Sequence, residues 1–463
     1  MVDVLLTHSN HVFNDRKQIE KMQPYPPLQT LIAAAQLRRA NLTTALCDVT
    51  LTPPEEAFRS MLRDHAPRLI VVCEDDFNFL TKMCLAPNRE LSFWMAKTAR
   101  AAGHLVAVHG SDSSDNVNAY LDAGFHYVLV GEIETALLEL AEGKPITEIS
   151  GLAYVSDKTG RLCQNPRRAP VANLDSLPGP AWDLVDINQY RNAWLDSHGY
   201  FSLNMASSRG CPYRCNWCAK PIHGNTYRAR APRTVAEEMR FVKQHFAPDH
   251  VWFADDIFGL SARWTTDFSE HVDRLGAQIP FKMQSRCDLM TRDSVRALKS
   301  VGCCEVWMGA ESGSQRILDA MEKGIRVEAV YEARENLLRN GIRAGFFLQF
   351  GYPGETWEEI GATIRMVRDT RPDDVGISVT YPLPGTKLYQ LVSAQMNKTA
   401  WSHSGDLAMM FRGRYSSAFY RALADALHLE VRDPSSRDAI RFAWERVREL
   451  EGGRTHPPLE AVS

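Results

Sequence analysis

The chain has 463 residues, enough for two or three domains whose cores need no disulfide staples. A net charge of -3 leaves no overall electrostatic footprint for nucleic acid, and 44% hydrophobic against 24% charged residues is a globular balance, neither disordered nor fibrous. No apolar run is long enough to span a bilayer, and the opening Met1-Val-Asp-Val-Leu-Leu-Thr lacks a basic region and a cleavage site; the cytoplasm is the expected location, with neither membrane span nor nucleic-acid partner.

In chain order, residues 1–142 alternate short apolar runs with helical patterns. Runs at 2–6, 45–49, 69–72, 105–108 and 127–130 predict buried strands, with helices such as 28–39 and 92–102 between them. Gly103 stands where a helix C-terminus wants glycine. Alternation of this kind predicts a parallel, doubly wound, Rossmann-like sheet, which binds ligands beyond the carboxyl ends of its strands. Residues 143–200 read as a connector, with a β-hairpin around Asp157-Lys-Thr-Gly160 and then Pro166, Pro170, Pro178 and Pro180.

Residues 201–395 begin a second strand–helix series. Strands are expected at 203–207, 250–254, 281–285, 305–309, 344–350 and 375–380. Thr234 with Glu237, and Thr356 with Glu359, have capping-box spacing. Six such units predict a partial (β/α)6 barrel of the TIM type, with its site at the carboxyl ends of the strands. Residues 396–463 read as a helical region with a disordered tail from Glu451.

Seven of the ten cysteines, at 47, 73, 84, 163, 287, 303 and 304, are scattered and read as reduced core thiols. The other three stand in Ser208-Arg-Gly-Cys211-Pro-Tyr-Arg-Cys215-Asn-Trp-Cys218. Three thiolates in eight residues can hold three irons of a cubane cluster and leave the fourth open. A zinc site wants a fourth ligand, for which His223 is the nearby candidate.

The cysteine motif, following a predicted strand, resembles that of the radical S-adenosylmethionine (SAM) superfamily. The resemblance implies a [4Fe-4S] cluster on Cys211, Cys215 and Cys218, SAM chelated at the open iron, and one-electron cleavage of SAM to a 5′-deoxyadenosyl radical. It implies that Trp217 lies near the adenine, that Asp255 and Asp256 in Phe253-Ala-Asp-Asp-Ile-Phe meet the methionine part, and that Glu311 and Ser312 in Gly309-Ala-Glu-Ser-Gly-Ser meet the ribose. It also sets Gly351 and Pro353 of Gly351-Tyr-Pro-Gly-Glu-Thr along the adenine, with Pro382-Leu-Pro-Gly-Thr386 as the sixth-strand match. Taken singly, Trp217 also reads as core, Asp255-Asp256 as a solvated loop and Glu311 as a helix cap.

The first domain resembles the cobalamin-binding domain joined to many radical SAM enzymes. Pro24-Tyr-Pro-Pro-Leu, Val108-His-Gly110-Ser111-Asp112 and Val130-Gly131-Glu132-x-Glu134 carry the likeness, and Glu74 in Glu74-Asp-Asp-Phe-Asn78 is a further candidate contact. The cobalt-ligating Asp-x-His-x-x-Gly pattern of the mutases is missing from Thr7-His-Ser-Asn-His-Val-Phe-Asn-Asp15; His8 and His11 are the loop histidines within reach.

The whole is similar to the class of the anaerobic magnesium-protoporphyrin monomethyl ester oxidative cyclase and the radical SAM C-methyltransferases, including a cyclase-like Phe411–Leu423 stretch. The class implies methylation of an unactivated carbon in a small molecule, with a reducing partner such as flavodoxin or ferredoxin. Cyclase-like redox chemistry on a ring substrate is the alternative, and a non-catalytic cobalamin or redox sensor is a third reading. A methylthiotransferase is disfavoured, because no second cysteine trio stands in the first domain.

Overall fold

The computed structural model describes residues 2–77, 85–396, 398, 400–403, 405 and 407–452. Asn78, Cys84 and the tail beyond 452 lie outside the described residues.

Two sheets organise the chain. The first contains β1 (Val4–Thr7), β2 (Thr44–Cys47), β3 (Leu69–Cys73), β4 (Leu105–His109), β5 (Tyr127–Leu129), β6 (Leu152–Val155) and β7 (Leu162–Gln164), in the order β2-β1-β3-β4-β5-β6-β7. β1 to β5 are parallel, and the β6–β7 hairpin adds antiparallel to the β5 edge. The hairpin expected in the connector is therefore continuous with the first sheet. β1 and β3 are buried on both faces, which is why they read as unbroken apolar runs. Chain order reverses between β1 and β3, the switch point at which doubly wound sheets open a ligand crevice.

The second sheet has six parallel strands: β8 (Ser202–Met205), β11 (His250–Phe253), β12 (Phe281–Ser285), β13 (Cys303–Glu311), β14 (Arg343–Phe350) and β15 (Asp374–Val379), each beside the next. This is the expected six-stranded partial barrel. Helices Pro232–Phe246, Ala262–Arg274, Arg292–Ser300, Val327–Arg339 and Trp357–Thr370 connect the strands. The Thr356–Glu359 capping box is present. The one expected at Thr234–Glu237 is not: Pro232, with its pre-set φ, starts that helix after Ala231, and Glu237 pairs with Arg233 at 2.8 Å. Helices Ser417–Arg432 and Arg437–Gly452 close the C-terminal side, with His428 Nε2 3.0 Å from the Val375 carbonyl of β15.

The domains lock through the segment before the first long helix. Tyr25 leans on Trp252 of β11, its hydroxyl 3.1 Å from Ser202 Oγ, while Asn204 donates to Pro26 O and Trp194 Nε1 to Pro24 O. Pro24-Tyr-Pro-Pro is thus a contact onto the barrel. No helix among the described residues is long and apolar enough to cross a membrane.

Candidate active site

The cysteine loop hangs from two short strands. β9 (Ser208–Arg209) pairs antiparallel with β10 (Arg228–Ala229), so residues 210–227 leave and return at one point. Gly210 has φ +76°, and a Cβ there would lie 2.2 Å from the Thr226 carbonyl oxygen, so glycine is required. Farther along, the Asn216 N–H donates to Met321 O at 3.0 Å and its side-chain amide to Ala320 O at 2.6 Å. The Arg286 guanidinium lies 3.5 Å over the Tyr213 ring.

Cys211, Cys215 and Cys218 are free, half-buried thiols on this loop. Burial pushes the Cys218 thiol up to about 12, and Cys218 also senses the charges of Cys215 and Cys211. Among the described residues, no three His, Cys, Asp or Glu side chains converge to hold a single metal ion. A cubane cluster asks instead for thiolates at separate iron corners. Three neighbouring thiols on one pinned loop supply that donor set, so the residues fit a cluster. His223, the zinc candidate, is turned to the first domain, with Nδ1 3.0 Å from Glu132 Oε1.

The strand ends around the loop hold the other expected residues. Asp255 is buried just beyond β11 and accepts from the Ser207 N–H at 3.1 Å, from Ser207 Oγ at 2.7 Å and from Ser208 Oγ. Burial raises its pKa to about 6 against those bonds. It braces the start of the cysteine loop, while Asp256 beside it is exposed. Glu311 ends β13 with φ +60° and is ion-paired to buried Lys323 at 2.7 Å. Burial pulls Lys323 down, but Glu311 and the nearby Cys215 outweigh it and raise the pKa. Ser312 Oγ lies 3.2 Å from Thr363 Oγ1 and accepts from the Ser314 N–H. Gly351, at φ +78°, donates its N–H to buried Glu355, and Pro353 follows in the same turn. Trp217 is half-buried, and its indole N–H has no partner.

In the first domain, Glu74, Gly110 and Ser111 meet beyond the ends of β3 and β4. Glu74 Oε1 accepts from the Ser9 N–H and hydroxyl at 3.1 and 2.6 Å, tying the ends of β1 and β3 together. Gly110 has φ +152°, and a Cβ there would stand 2.9 Å from Glu74 Cβ and Cγ. Glu74 Oε2, Asp76 Oδ1, Ser111 Oγ, Ser114 Oγ and His8 Nδ1 are buried without partners. Such orphans are costly unless a ligand satisfies them, and the amide-fringed corrin of cobalamin carries matching donors and acceptors. The residues fit the group. His8 Nε2 is held by Asp48 at 3.0 Å and His11 Nδ1 by the Val49 carbonyl at 2.7 Å. Burial lowers the His8 pKa, but Asp48 outweighs it and the net shift is upward, toward an imidazolium with no lone pair for cobalt.

Glu132 lies elsewhere than the Glu74 cluster. Its carboxylate takes His223, Arg228 at 2.7 Å and the Val171 N–H at 2.6 Å, which hold it well below the usual carboxylate range despite burial. Glu134 binds buried Arg209 and, at 3.0 Å, Gln29. Gly131, at φ +88°, faces Arg167. Phe77, from the loop after β3, is buried with its ring 6.3 Å from that of His223 and 5.8 Å from the Arg209 guanidinium. The carboxyl ends of the first sheet therefore face the arms of the cysteine loop. Arg209, Gln29 and Lys323 were not singled out from sequence; Glu134 was, as part of the glycine-led motif after β5, and its carboxylate is bound to Arg209 and Gln29. Of the other three, only Arg209 had a signal, standing two residues before Cys211.

Residues 205–367 match the family model described as the Radical SAM superfamily. An uncharacterized methyltransferase of Pyrococcus horikoshii is 30% identical over 273 residues, 58% of either chain. The anaerobic magnesium-protoporphyrin IX monomethyl ester cyclase of Rubrivivax gelatinosus is 26% identical over 57% of this chain and 48% of its own. The hopanoid C-3 methylase of Methylococcus capsulatus is 26% identical over 80% and 69%. The matches thus span less than two thirds of the first two relatives. Among solved structures, the radical SAM methyltransferase TsrM of Kitasatospora setae, with cobalamin and a [4Fe-4S] cluster bound, superposes with a TM-score of 0.70 at 19% identity, over 85% of this chain and 75% of that one, a likeness of fold. With its cysteine loop at the head of the matched segment, the chain carries a radical SAM domain over residues 205–367.

Proposed function

We propose that the chain is a cobalamin-dependent radical SAM methyltransferase acting on an unactivated carbon of a small molecule. The observation that carries the reading is the seam: buried polar atoms without partners lie in the loops after β1, β3 and β4, and Phe77, in the same loop as Glu74 and Asp76, packs beside His223 and Arg209 of the cysteine-loop arms. Cys211, Cys215 and Cys218 hold the [4Fe-4S] cluster. Trp217, Asp255, Asp256, Glu311, Ser312, Gly351 and Pro353 frame SAM, and Glu74, Gly110, Ser111, Gly131 and Glu132 frame cobalamin. Bound there, cluster and SAM supply a carbon-centred radical and cobalamin a methyl carrier.

The chain's own part is positioning and exclusion of water. Gly210 lets the loop turn, Asp255 braces its start and Asn216 anchors its middle. Glu132 and Glu134 grip Arg209, Arg228 and His223 across the seam and fix one domain against the other. Electrons come from a small reducing protein, flavodoxin or ferredoxin. The names of the Pyrococcus and Methylococcus relatives support methyl transfer, and the spread of the TsrM likeness over both domains supports cobalamin.

Two measurements test the reading. Protein reconstituted with iron, sulfide and cobalamin should retain about one cobalt per chain. Its cob(II)alamin resonance should lack nitrogen splitting from a protein ligand, because the loop after β1 lacks the Asp-x-His-x-x-Gly cobalt-ligand pattern. Anaerobic incubation with SAM carrying a deuterated methyl group, reductant and candidate intermediates should then add three deuterons to a product carbon. Protein that retains no cobalt, or product that gains none of the label, overturns it.

A further inference from the structure

The barrel has a second polar region, at the opposite end from the cysteine loop. Along β11, β12 and the middle of β13, residues facing the helices are buried and alternate with lumen-facing residues that stay half-exposed. Trp252 alternates with Val251 and Phe253, Lys282 with Phe281 and Met283, and Trp307 with Val306 and Met308. The lumen is therefore reached by solvent. Trp307 lies flat against the wall, because a Cβ at Gly345 would come within 2.4 Å of its ring and one at Gly376 within 3.2 Å. Phe347 lies beside it, tilted, with ring centroids 5.0 Å apart. The middle of the lumen is thus aromatic, with glycine making room for the indole.

Lys282 stands near the amino end of β12. Its ammonium makes no hydrogen bond and no ion pair among the described residues; its recorded contacts are the faces of Tyr25 and Trp252, at 5.9 and 6.0 Å. Burial holds its pKa below the ordinary lysine value, with Glu305, Tyr200 and Cys304 opposing weakly. Glu305, its register neighbour on β13, makes no ion pair with it among the described residues; its carboxylate accepts from Trp307 Nε1 at 2.5 Å and lies 3.8 Å from Arg343. Lys21 adds positive charge from the first domain, and Arg432 is already paired with Asp374 at 2.9 Å. Neighbouring His250, bonded to Ser202 Oγ, is neutral, its pKa pulled down to about 3 by burial and by Lys282. A half-buried cation without an ion pair among the described residues, set against the aromatic faces of the barrel interior, is a site for an anion.

We infer that the barrel lumen binds an elongated substrate with an apolar or aromatic body and an anionic end, carboxylate or phosphate, seated on Lys282. From Lys282 to the carboxyl end of β12 is three residues, about 10 Å of strand, so the reacting carbon lies about that far from the anion. The inference rests on the reading of the barrel as a small-molecule site and names the substrate class.

The test uses reconstituted holoprotein and three probes of one chain length: decanoate, decyl phosphate and decanamide, titrated calorimetrically. One of the two anions should bind about tenfold or more tightly than the amide, and which one does so identifies the headgroup. Lys282→Met should abolish that preference and Lys282→Arg should keep it, with iron content unchanged in both. Equal affinity for anions and amide in the native protein, or an undiminished preference in Lys282→Met, overturns the inference. The native comparison stands even where the methionine variant fails to fold. Failure of labelled methyl transfer would sink the methyltransferase reading and leave the anion preference standing.

Discussion

Glu311 is held in a left-handed backbone conformation, φ +60°, which costs a non-glycine residue about 1–2 kcal/mol. Strain of this kind at the mouth of a barrel strand fits a residue whose carboxylate must point one way. Its ion pair with Lys323 adds a second role, invisible in sequence. Glu311→Ala should weaken SAM binding about tenfold through the lost ribose acceptor, and also destabilise the fold by ~3–5 kcal/mol by stranding a buried ammonium. Adding Lys323→Met should restore much of the stability and none of the SAM affinity. Titration with SAM and thermal unfolding separate the two; SAM affinity that returns with the second substitution would reduce Glu311 to a structural partner. Glu355 offers a pH test. Burial raises its pKa to about 8, against the Gly351 N–H that favours the charged form. Between the unfolded value of 4.5 and that folded value, the unfolded chain ionises while the native carboxyl stays protonated, so native stability falls as pH rises. Glu355→Gln does not titrate. Its stability relative to the native chain should climb by up to ~1.4 kcal/mol per pH unit across that window and level off above pH 8. Parallel stability curves for the two proteins would contradict the assignment.

At the scale of elements, both sheets were legible because parallel strands covered on two faces leave apolar runs, as in Leu69–Cys73. The cysteine loop was legible because its three donors are neighbours in sequence. What joins the elements was not. Arg209 meets Glu134 across 75 positions and Lys323 meets Glu311 across 12, with no periodicity to mark either pair. Glu132 was expected at cobalamin on the strength of its glycine-led motif, and its carboxylate is taken up instead by His223 and Arg228, so any contact to the cofactor falls to the backbone of that turn. Lys282 sits in a strand that was expected, but only the curvature of the partial barrel turns it into the lumen. The turn after β4 carries a prediction of its own. Gly110→Ala must push a methyl group to 2.9 Å from the Glu74 side chain at a φ that alanine resists. Cobalt retained after reconstitution should drop at least several-fold while iron stays constant; unchanged cobalt would remove Glu74 and Gly110 from the cobalamin site.

Across the whole molecule, two α/β units present their carboxyl ends to each other, and the cysteine loop lies in the join. The arrangement explains why charged groups are buried there: Arg209 with Glu134, and Arg228 and His223 with Glu132, hold two sheets in register, a use for which buried ion pairs suit better than for raw stability. Helix Ser417–Arg432 completes the wall beside β15, through His428 on the Val375 carbonyl. Everything assigned to SAM depends on that loop carrying a cluster able to pass one electron. The most direct measurement is 5′-deoxyadenosine, quantified by mass spectrometry after anaerobic incubation of the reconstituted protein with SAM and dithionite. The native protein should form it with about four irons per chain, and the variant with Cys211, Cys215 and Cys218 all replaced by alanine should form none and hold no cluster. Native protein with its full iron that leaves SAM uncleaved, or a triple variant that keeps its iron, would contradict the account.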